Sequence, residues 1–474
     1  MEIYEINTAS WLNRLSLHYG YPVTLNNVPP AEWDMIKELN FNAVWLMGVW
    51  ERSPAAVNIN LGDTLFLDEL KQFLPDINYQ YDLIGSAYSI KNYRADNRFG
   101  GNSGLVRARR ELNARGLKLL LDFVPNHVAF DHPWIFNHPE YFISGSSDDL
   151  NNLPDDFMEV NGRVFAYGRD PNLKPWVDVA QINIFNDSLR QEAAHILKRL
   201  ALMCDGVRCD MAMLALSRVF AFTWGERAGQ TPSNEYWGEL ISIVKRTTPD
   251  FCFLGEAYWD THAELMSLGF DYCYDKTWLD HLADRDIFGL IQLLVAPLKE
   301  QLRLVRFIEN HDEKRSASIF DFQALSLAAL LMVTTPGAHL YYDGQLNGRR
   351  FRTPVQLARD HMEPDDEQIK DYYVKLFALR RRTLPINAFN IIGYSHSSPQ
   401  TMSWRFSSGS NNYLAAVNFN DHDVKISLRP SDLDNKRTIL LFSAAEKGII
   451  DMTTDEDQLE VSLSGLNGGV WLLE

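Results

Sequence analysis

Short apolar runs alternate with longer amphipathic stretches along most of this chain. A run of roughly four to eight apolar residues between turn signals has the length of a buried strand. Because residues at helical spacing follow most of these runs, the pattern predicts repeated strand–helix units and a parallel sheet. The predicted strands occupy residues 2–7, 42–50, 117–125, 204–210, 251–257, 270–275, 302–308 and 338–342.

Helix signals mark the stretches between these strands. Residues 101–116 carry apolar positions at helical spacing and end on Gly116, where glycine commonly closes a helix. The stretch at 187–203 opens on Asp187 and Ser188, and we expect these two residues to cap the helix. Both helices have the length that a crossover between parallel strands requires.

The number of strand–helix units favours a closed (β/α)8 barrel, a TIM barrel of the α/β class, over an open sheet. Two long segments interrupt the alternation, at residues 51–100 and at residues 129–183. Long irregular loops are usually functional, and in a barrel they belong on the catalytic face. After the helical stretch at 366–382 the chain turns into short strands split by turn residues, which predicts an appended β-sandwich.

The stretch "CDGVRCDMAM", residues 204–213, combines apolar and charged positions in an unusual way. A strand buried on both faces usually reads as an unbroken Val/Ile/Leu run. Arg208 and Asp210 share one face of the predicted strand because side chains alternate with period two. One interpretation is a structural ion pair, and the other is a carboxylate held ionised by a cation and directed into a pocket.

The charge balance narrows the class of partner. Hydrophobic residues make up 46% of the 474 residues, charged residues 23%, and the formal net charge is −17. An acidic protein is poorly suited to nucleic acid, whose phosphates need a basic surface, and to anionic membranes. The composition therefore predicts no nucleic-acid and no membrane partner, and it fits a neutral substrate.

The termini and cysteines carry no sign of export. The N-terminal "MEIYEINTASWLNRL" has no basic region followed by an apolar one, so we expect no signal peptide. Cysteines within apolar runs that form no CxxC pair usually act as small buried hydrophobes. These features predict a reduced, cytoplasmic location. The four cysteines are Cys204, Cys209, Cys252 and Cys273.

Polar residues collect at the carboxyl ends of the predicted strands, which line the active site in a (β/α) barrel. The third, fourth, fifth and seventh strands end in "DFVPNH", "GVRCD", "GEA" and "ENHDE". A single acid at such a position is often a helix cap, but carboxylates from three strand ends are hard to explain by capping. Neither GxGxxG after a strand nor GxxxxGK[ST] is present. The residues are Asp122, Asn126, His127, Arg208, Asp210, Glu256, Glu309, Asn310, His311, Asp312 and Glu313.

Four short motifs in this order resemble the α-amylase family, glycoside hydrolase family 13. They are "DFVPNH" (122–127), "DGVRCD" (205–210), "LGEA" (254–257) and "FIENHDE" (307–313). As a joint set they are highly specific, and the resemblance spans nearly the whole chain. It implies a catalytic barrel over residues 1–383 with a B domain inserted at about 129–183, and an all-β domain over 384–474.

The resemblance also implies catalytic roles. Asp210 would be the nucleophile, and Arg208 would keep it ionised and oriented, since a nearby cation lowers the pKa of a carboxyl. Glu256 would be the general acid/base, in surroundings that raise its pKa. Asp312 would bind sugar hydroxyls and stabilise the oxocarbenium-like transition state.

Three further residues enter as substrate-binding candidates through the same resemblance. His127 and His311 would donate hydrogen bonds to hydroxyls of one sugar ring. Tyr88, in "GSAYSIKNYRADNRFG" (85–100), would stack on the innermost glucose, with a core tyrosine as the alternative. Trp259 would line the leaving-group side or pack in the core. The segment at 176–186 resembles the one that closes the B domain, with Asp178, Gln181 and Asn183 as structural polar residues.

The chain departs from the family pattern after the nucleophile. Many amylases have a Lys-His pair where this chain has Met213 and Leu214. The lysine contacts sugar beyond the cleavage point, and the histidine carbonyl helps to hold calcium. Asn126 stands at one remaining calcium-ligand position, and one oxygen donor does not make a calcium site. The expectation is no cofactor and no metal, with a structural calcium ion as the alternative.

Three functions remain open. The first is a retaining hydrolase of α-1,4-glucans or malto-oligosaccharides, and the second is a transglycosylase or sucrose-active relative of the same fold. The two differ in whether water or a sugar accepts the glycosyl group, and we expect the altered "MAML" segment (211–214) to affect that choice. A non-catalytic carbohydrate-binding barrel ranks last, because such proteins typically lose a catalytic carboxylate and all three are present here.

Overall fold

The computed structural model describes residues 1–394, 400–429, 437–445, 448, 450–455 and 458–474. The parts of the predicted C-terminal domain between these ranges lie outside the described residues. The strands are β1 (Glu2–Asn7), β2 (Ala43–Met47), β3 (Trp50–Arg52), β4 (Ile90–Ala95), β5 (Lys118–Phe123), β6 (His127–Ala129), β7 (Phe157–Val160), β8 (Arg163–Gly168), β9 (Trp176–Gln181), β10 (Gly206–Cys209), β11 (Cys252–Gly255), β12 (Tyr272–Tyr274), β13 (Leu304–Arg306), β14 (Ala338–Tyr342), β15 (Ala388–Tyr394), β16 (Thr401–Ser408), β17 (Asn411–Asn418), β18 (Val424–Leu428), β19 (Thr438–Ser443), β20 (Ile450–Asp455), β21 (Gln458–Leu463) and β22 (Asn467–Leu473).

The α-helices lie mostly between these strands. They are α1 (Thr8–Tyr19), α2 (Pro30–Glu38), α3 (Pro54–Gly62), α4 (Thr64–Phe73), α5 (Tyr79–Asp82), α6 (Gly101–Ala114), α7 (Pro133–Asn137), α8 (Ser147–Asn152), α9 (Asp187–Met203), α10 (Ser217–Trp224), α11 (Tyr236–Lys245), α12 (His262–Ser267), α13 (Lys276–Ala283), α14 (Ile287–Leu294), α15 (Leu298–Gln301), α16 (Ser316–Ile319), α17 (Phe322–Thr334) and α18 (Glu367–Thr383).

Eight strands close into a barrel in the order β1-β14-β13-β12-β11-β10-β5-β2. Neighbouring strands such as β5 and β10, or β10 and β11, run parallel, as strand–helix alternation requires. All eight predicted apolar runs contain one of these strands, because both faces of a barrel strand are covered and select apolar residues. The predicted fold class is confirmed.

The chain divides into two compact units. The larger comprises Ile3–Tyr274 with Thr353–Met362 and carries the inserted segments. The smaller comprises Met1–Glu2, Asp275–Arg352 and Glu363–Glu474 and carries β13, β14 and the C-terminal strands. The predicted boundary at residues 383/384 stays a prediction.

Both interruptions of the barrel are folded rather than irregular. The first holds α3, α4 and α5 between β3 and β4. The second forms a four-stranded antiparallel sheet in the order β6-β9-β8-β7, with its own apolar cluster around Phe130, Phe142 and Phe165. The helices of the first interruption were not predicted. In α3 the sequence shows no amphipathic period, whereas α4 has both an amphipathic period and a cap at Asp63 that could have revealed it.

The C-terminal strands form two antiparallel sheets. One has the order β15-β16-β17-β22-β19 and the other β18-β21-β20. Side chains from both sheets, among them Leu414 and Trp471 from the first and Ile426 and Val461 from the second, form one buried cluster. A shared core between two sheets is the arrangement that the predicted sandwich requires.

Local signals were mostly read correctly. Gly116 follows α6 with a φ of +70°, as expected for a helix terminator. The cap of α9 is a correction, because Asn186 rather than Asp187 or Ser188 accepts the backbone N–H of Leu189. All three types cap well, so composition alone did not select among adjacent positions.

The four cysteines are free and buried, and no described helix is long and apolar enough to cross a bilayer.

Candidate active site

The end of β10 places a buried cation beside a carboxylate. Arg208 lies within β10 and Asp210 directly after its last residue. Nη1 of Arg208 donates to Oδ1 of Asp210 across 2.6 Å. Arg208 is fully buried and Asp210 is 5% exposed. The two side chains on one strand face are therefore an ion pair with little access to water.

The neighbouring strand adds a second carboxylate to the same cation. Glu256 directly follows β11, and its Oε2 lies 2.9 Å from Nη2 of Arg208. Two more donors hold Glu256: the backbone N–H of Met211 reaches Oε2 at 2.5 Å, and the hydroxyl of Tyr258 reaches Oε1 at 2.7 Å. All three contacts favour the ionised form of Glu256. The unliganded contacts thus oppose the protonated state that a general acid needs.

Arg208 stays charged in spite of its burial. Burial alone lowers the pKa of a guanidinium, but the negative charges of Glu256 and Asp210 raise the pKa of Arg208 well above its ordinary value. Three rings also surround its guanidinium carbon, with centroids 5.2 Å away for Trp45, 5.3 Å for Tyr88 and 5.7 Å for Tyr274. One permanent cation in an aromatic cage therefore joins two carboxylates.

The turn after Asp210 adopts an uncommon backbone conformation. Met211 has φ +43° and ψ +45°, which a non-glycine residue adopts only at some cost. This conformation directs its N–H to Glu256, and the N–H of Ala212 donates to the carbonyl of Glu256 at 3.1 Å. The indole of Trp237 then donates to the carbonyl of Ala212 at 2.8 Å. These bonds fix the ends of β10 and β11 relative to each other.

Tyr88 and His127 are linked in the same unit. Tyr88 is half-buried, and its ring faces Arg208. His127 hydrogen-bonds the backbone of Tyr88, and burial lowers its pKa to about 4, so it is neutral at physiological pH. Nδ1 of His127 lies 3.4 Å from Nδ2 of Asn126 and accepts a hydrogen bond from it. The ring thus already bonds to protein on both sides, and its predicted contact with sugar stays a prediction.

His311 and Asp312 form a pair in the turn after β13. Nε2 of His311 lies 2.9 Å from Oδ2 of Asp312, whose side chain is 44% exposed. The Asn310 side chain accepts the backbone N–H groups of Asp312 and Glu313 and shapes this turn. Asp312 is thus far more accessible than Asp210 or Glu256, as a group that contacts only substrate can be.

Two other predicted strand-end acids hold the fold together. Asp122 is fully buried and accepts the indole N–H of Trp45 at 3.1 Å and the backbone N–H of Gly48 at 2.7 Å. Glu309 is equally buried and accepts from Arg315 at 2.7 Å and from Ser316. Both carboxylates accept hydrogen bonds from protein groups near the ends of strands, which is a structural role and not a catalytic one.

The segment that departs from the family pattern is apolar and buried. Met213 and Leu214 lie in a 3₁₀ turn, Ala212–Ala215, and are 0% and 3% exposed. Trp259, three residues after Glu256, is 45% exposed and has φ +55°. Its exposure excludes the core alternative and leaves its ring available to a ligand.

Sequence reasoning missed two partners of Glu256. Tyr258 stands two residues later, on the same side of an extended segment, so period two could have suggested it. Met211 acts through its backbone N–H, which leaves no trace in the residue type. Arg208 as a shared cation was also missed, since the pairing of Arg208 with Leu254 across β10 and β11 is known only from the sheet register.

The residues that the resemblance connects with calcium do not fit a bound ion. Oδ1 of Asn126 accepts a hydrogen bond from Nε2 of Gln181 at 3.0 Å, and Leu214 replaces the histidine. Among the residues that the structure describes, no group of three or more His, Cys, Asp or Glu side chains is placed to hold a metal.

Known proteins similar to this chain include amylases and a glucanotransferase. The chain is 21% identical over 377 residues to alpha-amylase 3 of Dictyoglomus thermophilum, covering 75% of this chain and 66% of that protein. It is 24% identical over 283 residues to a cyclomaltodextrin glucanotransferase of a Bacillus species, covering 54% and 37%. This chain thus spans less than two thirds of the length of these relatives.

A solved structure matches over nearly the full length. The crystal structure of an alpha-amylase from Geobacillus thermoleovorans, complexed with acarbose, superposes with a TM-score of 0.69 at 21% identity, covering 100% of this chain and 98% of that one. At this identity the likeness shows the fold. The sequence model of the alpha amylase catalytic domain matches residues 31–373, more than half of the chain, and this protein therefore belongs to the alpha-amylase family.

Proposed function

We propose that this protein hydrolyses α-1,4-glucosidic bonds of malto-oligosaccharides or starch-like glucans by retaining double displacement. The observation that carries the proposal is the contact of Arg208 with both Asp210 and Glu256. Two carboxylates on one guanidinium are close neighbours, which favours the separation of about 5–5.5 Å in retaining enzymes over the wider spacing of inverting ones.

In the first step, one oxygen of Asp210 attacks the anomeric carbon as the glycosidic bond breaks. Attack requires the ionised carboxylate, and Arg208 stabilises that form without access to water. A covalent glycosyl-enzyme forms, and the electron pair of the broken bond goes to the leaving oxygen. The family resemblance implies that Tyr88 stacks against the sugar ring and that Asp312 and His311 bind sugar hydroxyls.

Glu256 supplies the proton that the leaving oxygen needs. Because Arg208, Met211 and Tyr258 favour the carboxylate, substrate must weaken at least one of these contacts before Glu256 carries a proton. Because Glu256 is already buried, bound glucan does this by displacing one of the donors and not by removing water. In the second step Glu256 takes a proton from water, which attacks the anomeric carbon and frees Asp210.

The anomer of the first product tests the mechanism. Retention requires that the product appear as the α-anomer, which NMR of maltoheptaose digests resolves. Glu256→Gln should remain active on aryl glycosides with a good leaving group, and azide should accelerate its turnover. A first product in the β-form, or equal loss on all substrates without azide rescue, contradicts the proposal.

A transferase is the second candidate, and the acceptor side favours it. Met213 and Leu214 are apolar and buried where the family resemblance leads us to expect Lys-His, and Trp259 exposes a ring that suits a sugar face better than water. A cyclomaltodextrin glucanotransferase among the relatives shows that the family supports transfer. Products from maltoheptaose, sucrose and trehalose, with and without glucose as acceptor, separate the two: chains longer than the substrate indicate transfer.

A further inference from the structure

Gln181 is the final residue of β9, a strand of the inserted sheet, and its side chain is fully buried. Its neighbour across the sheet is His127, in β6. Gln181 therefore lies where the segment that follows barrel strand β5 meets the end of the inserted sheet. A polar side chain at such a junction must find all its partners within the protein.

Three oxygens converge on the amide nitrogen of Gln181. Nε2 lies 2.8 Å from the backbone oxygen of Asn126, 3.0 Å from the side-chain oxygen of Asn126 and 3.0 Å from the backbone oxygen of Ile182. An amide nitrogen has only two protons, so these oxygens share them. Two carbonyls and an amide oxygen around one positive centre are the kind of donor set that binds hard cations.

The other end of the carboxamide is equally engaged. Oε1 of Gln181 accepts from the backbone N–H of Arg169 and from Nδ2 of Asn126, each at 3.3 Å. Donors face one end of the group and acceptors the other, so its orientation is defined. Asn126 in turn contacts His127, which bonds the backbone of Tyr88.

We propose that the Gln181 carboxamide takes the place of a bound cation at this junction. Its two N–H protons supply hydrogen bonds to three oxygens that face one another, and the covalent link to β9 makes the group permanent. The wild-type junction therefore binds no metal ion. This inference concerns the stability of the fold and does not rest on the proposed function.

The substitution Gln181→Asp tests the proposal directly. The shorter side chain leaves a space near the former amide nitrogen and adds a carboxylate to the three oxygens, giving the oxygen-rich site that calcium prefers. In EDTA the Tm should fall by about 10 °C relative to wild type, because the substitution buries a new carboxylate with no cation beside it. Millimolar calcium should restore most of the loss in proportion to the logarithm of its concentration.

Gln301→Asp is the matched control. Gln301 is as buried as Gln181, and its Nε2 donates to the carbonyls of Leu294 and Ala296 at 2.8 and 2.7 Å. Its Oε1 already faces a protein cation, Arg306, at 3.3 Å. The new carboxylate therefore has a built-in counter-ion, and calcium should leave the Tm of this variant unchanged.

Wild-type protein provides a second test that does not depend on a variant folding. Its Tm should be the same in EDTA and in calcium, and metal analysis of the dialysed protein should find no stoichiometric calcium. A wild-type Tm that falls by several degrees in EDTA overturns the proposal. So does a Gln181→Asp variant that folds but responds to calcium no more than Gln301→Asp. Neither result bears on activity, so it is distinguishable from failure of the proposed reaction.

Discussion

Two arginines, Arg208 in β10 and Arg306 in β13, are each fully buried in a barrel strand and differ in what surrounds them. Arg208 contacts the carboxylates of Asp210 and Glu256. Arg306 contacts one carboxylate, Asp275, at 3.1 Å. It donates its other hydrogen bonds to neutral oxygens of Pro336 and Gln301. Burial lowers the pKa of Arg306 in spite of Asp275, whereas the pKa of Arg208 is raised.

This difference separates a catalytic cation from a structural one. A structural arginine has its hydrogen bonds satisfied by whatever oxygens the fold supplies, and neutral carbonyls suffice. Arg208 contacts two negative charges that are largely buried, where like charges repel strongly unless a cation lies between them. Burial and residue type are the same for both arginines and do not show which one takes part in catalysis. The number of carboxylates that each arginine contacts does distinguish them.

The largest effect should follow from Asp210→Asn. The amide cannot attack the anomeric carbon, so turnover of maltoheptaose should fall on the order of 10⁴-fold or more. Folding should survive, because Arg208 keeps its contact with Glu256 and the amide oxygen of Asn can still accept from it. Steady-state kinetics and thermal melting of the purified variant measure both. Retention of more than about one part in a hundred of the activity would exclude Asp210 as nucleophile.

The comparison itself predicts opposite outcomes for one substitution at two sites. Arg208→Lys provides one ammonium that cannot contact both carboxylates at once, so kcat should drop about 10²–10³-fold. Arg306→Lys likewise cannot keep all the hydrogen bonds of the guanidinium, here at a structural site. The free energy of unfolding should therefore fall by about 2–3 kcal/mol, and kcat of the folded protein should be unchanged.

Kinetics and guanidinium unfolding of both variants decide this contrast. If Arg306→Lys lowers kcat as much as Arg208→Lys does, contact with two carboxylates is not what distinguishes the two arginines. If both variants only lose stability, Arg208 is structural as well.

The sequence predicted the barrel better than it predicted the site. Each of the eight strands left an apolar run, because covered strands select apolar residues on both faces. The pair Arg208–Asp210 followed from period two along a single strand. The ion pair between Arg208 and Glu256 joins two strands whose register depends on tertiary packing, and no local pattern encodes it. The contacts of Met211 and Gln181 depend on backbone geometry in the same way.

The pH dependence of stability extends the comparison to a buried group with no carboxylate beside it. Burial lowers the pKa of His127 from 6.5 to about 4. Between these values the unfolded chain binds a proton and the folded one does not, so stability is complete above about pH 6.5 and is lost as the pH falls toward 4. We expect a loss of about 2–3 kcal/mol from His127 between pH 7 and pH 4.5.

Unfolding of wild type and His127→Gln at both pH values isolates this contribution. Burial also lowers the pKa of His132, to about 3, so the wild type loses stability from both groups. The His127→Gln variant should lose about 2–3 kcal/mol less than wild type over the same range. An equal loss in the two proteins would mean that His127 is protonated in the fold.

The smallest effect concerns the hydroxyl that reaches Glu256. Tyr258→Phe removes a 2.7 Å hydrogen bond, worth about 1 kcal/mol, that orients the carboxyl group of Glu256. Although protonation of Glu256 becomes easier without this donor, the loss of orientation should outweigh it and lower kcat on glucans about 3- to 10-fold. Because this hydroxyl acts through Glu256, the loss should be smaller on aryl glycosides whose leaving group needs little protonation. Tyr93→Phe is the control, since the hydroxyl of Tyr93 donates to the carbonyl of Val124 and accepts its N–H. Tyr93→Phe should lower the Tm and leave the ratio of kcat on glucans to kcat on aryl glycosides unchanged. Equal slowing of both classes by Tyr258→Phe would show that Tyr258 holds the loop in place and does not position the acid/base carboxylate.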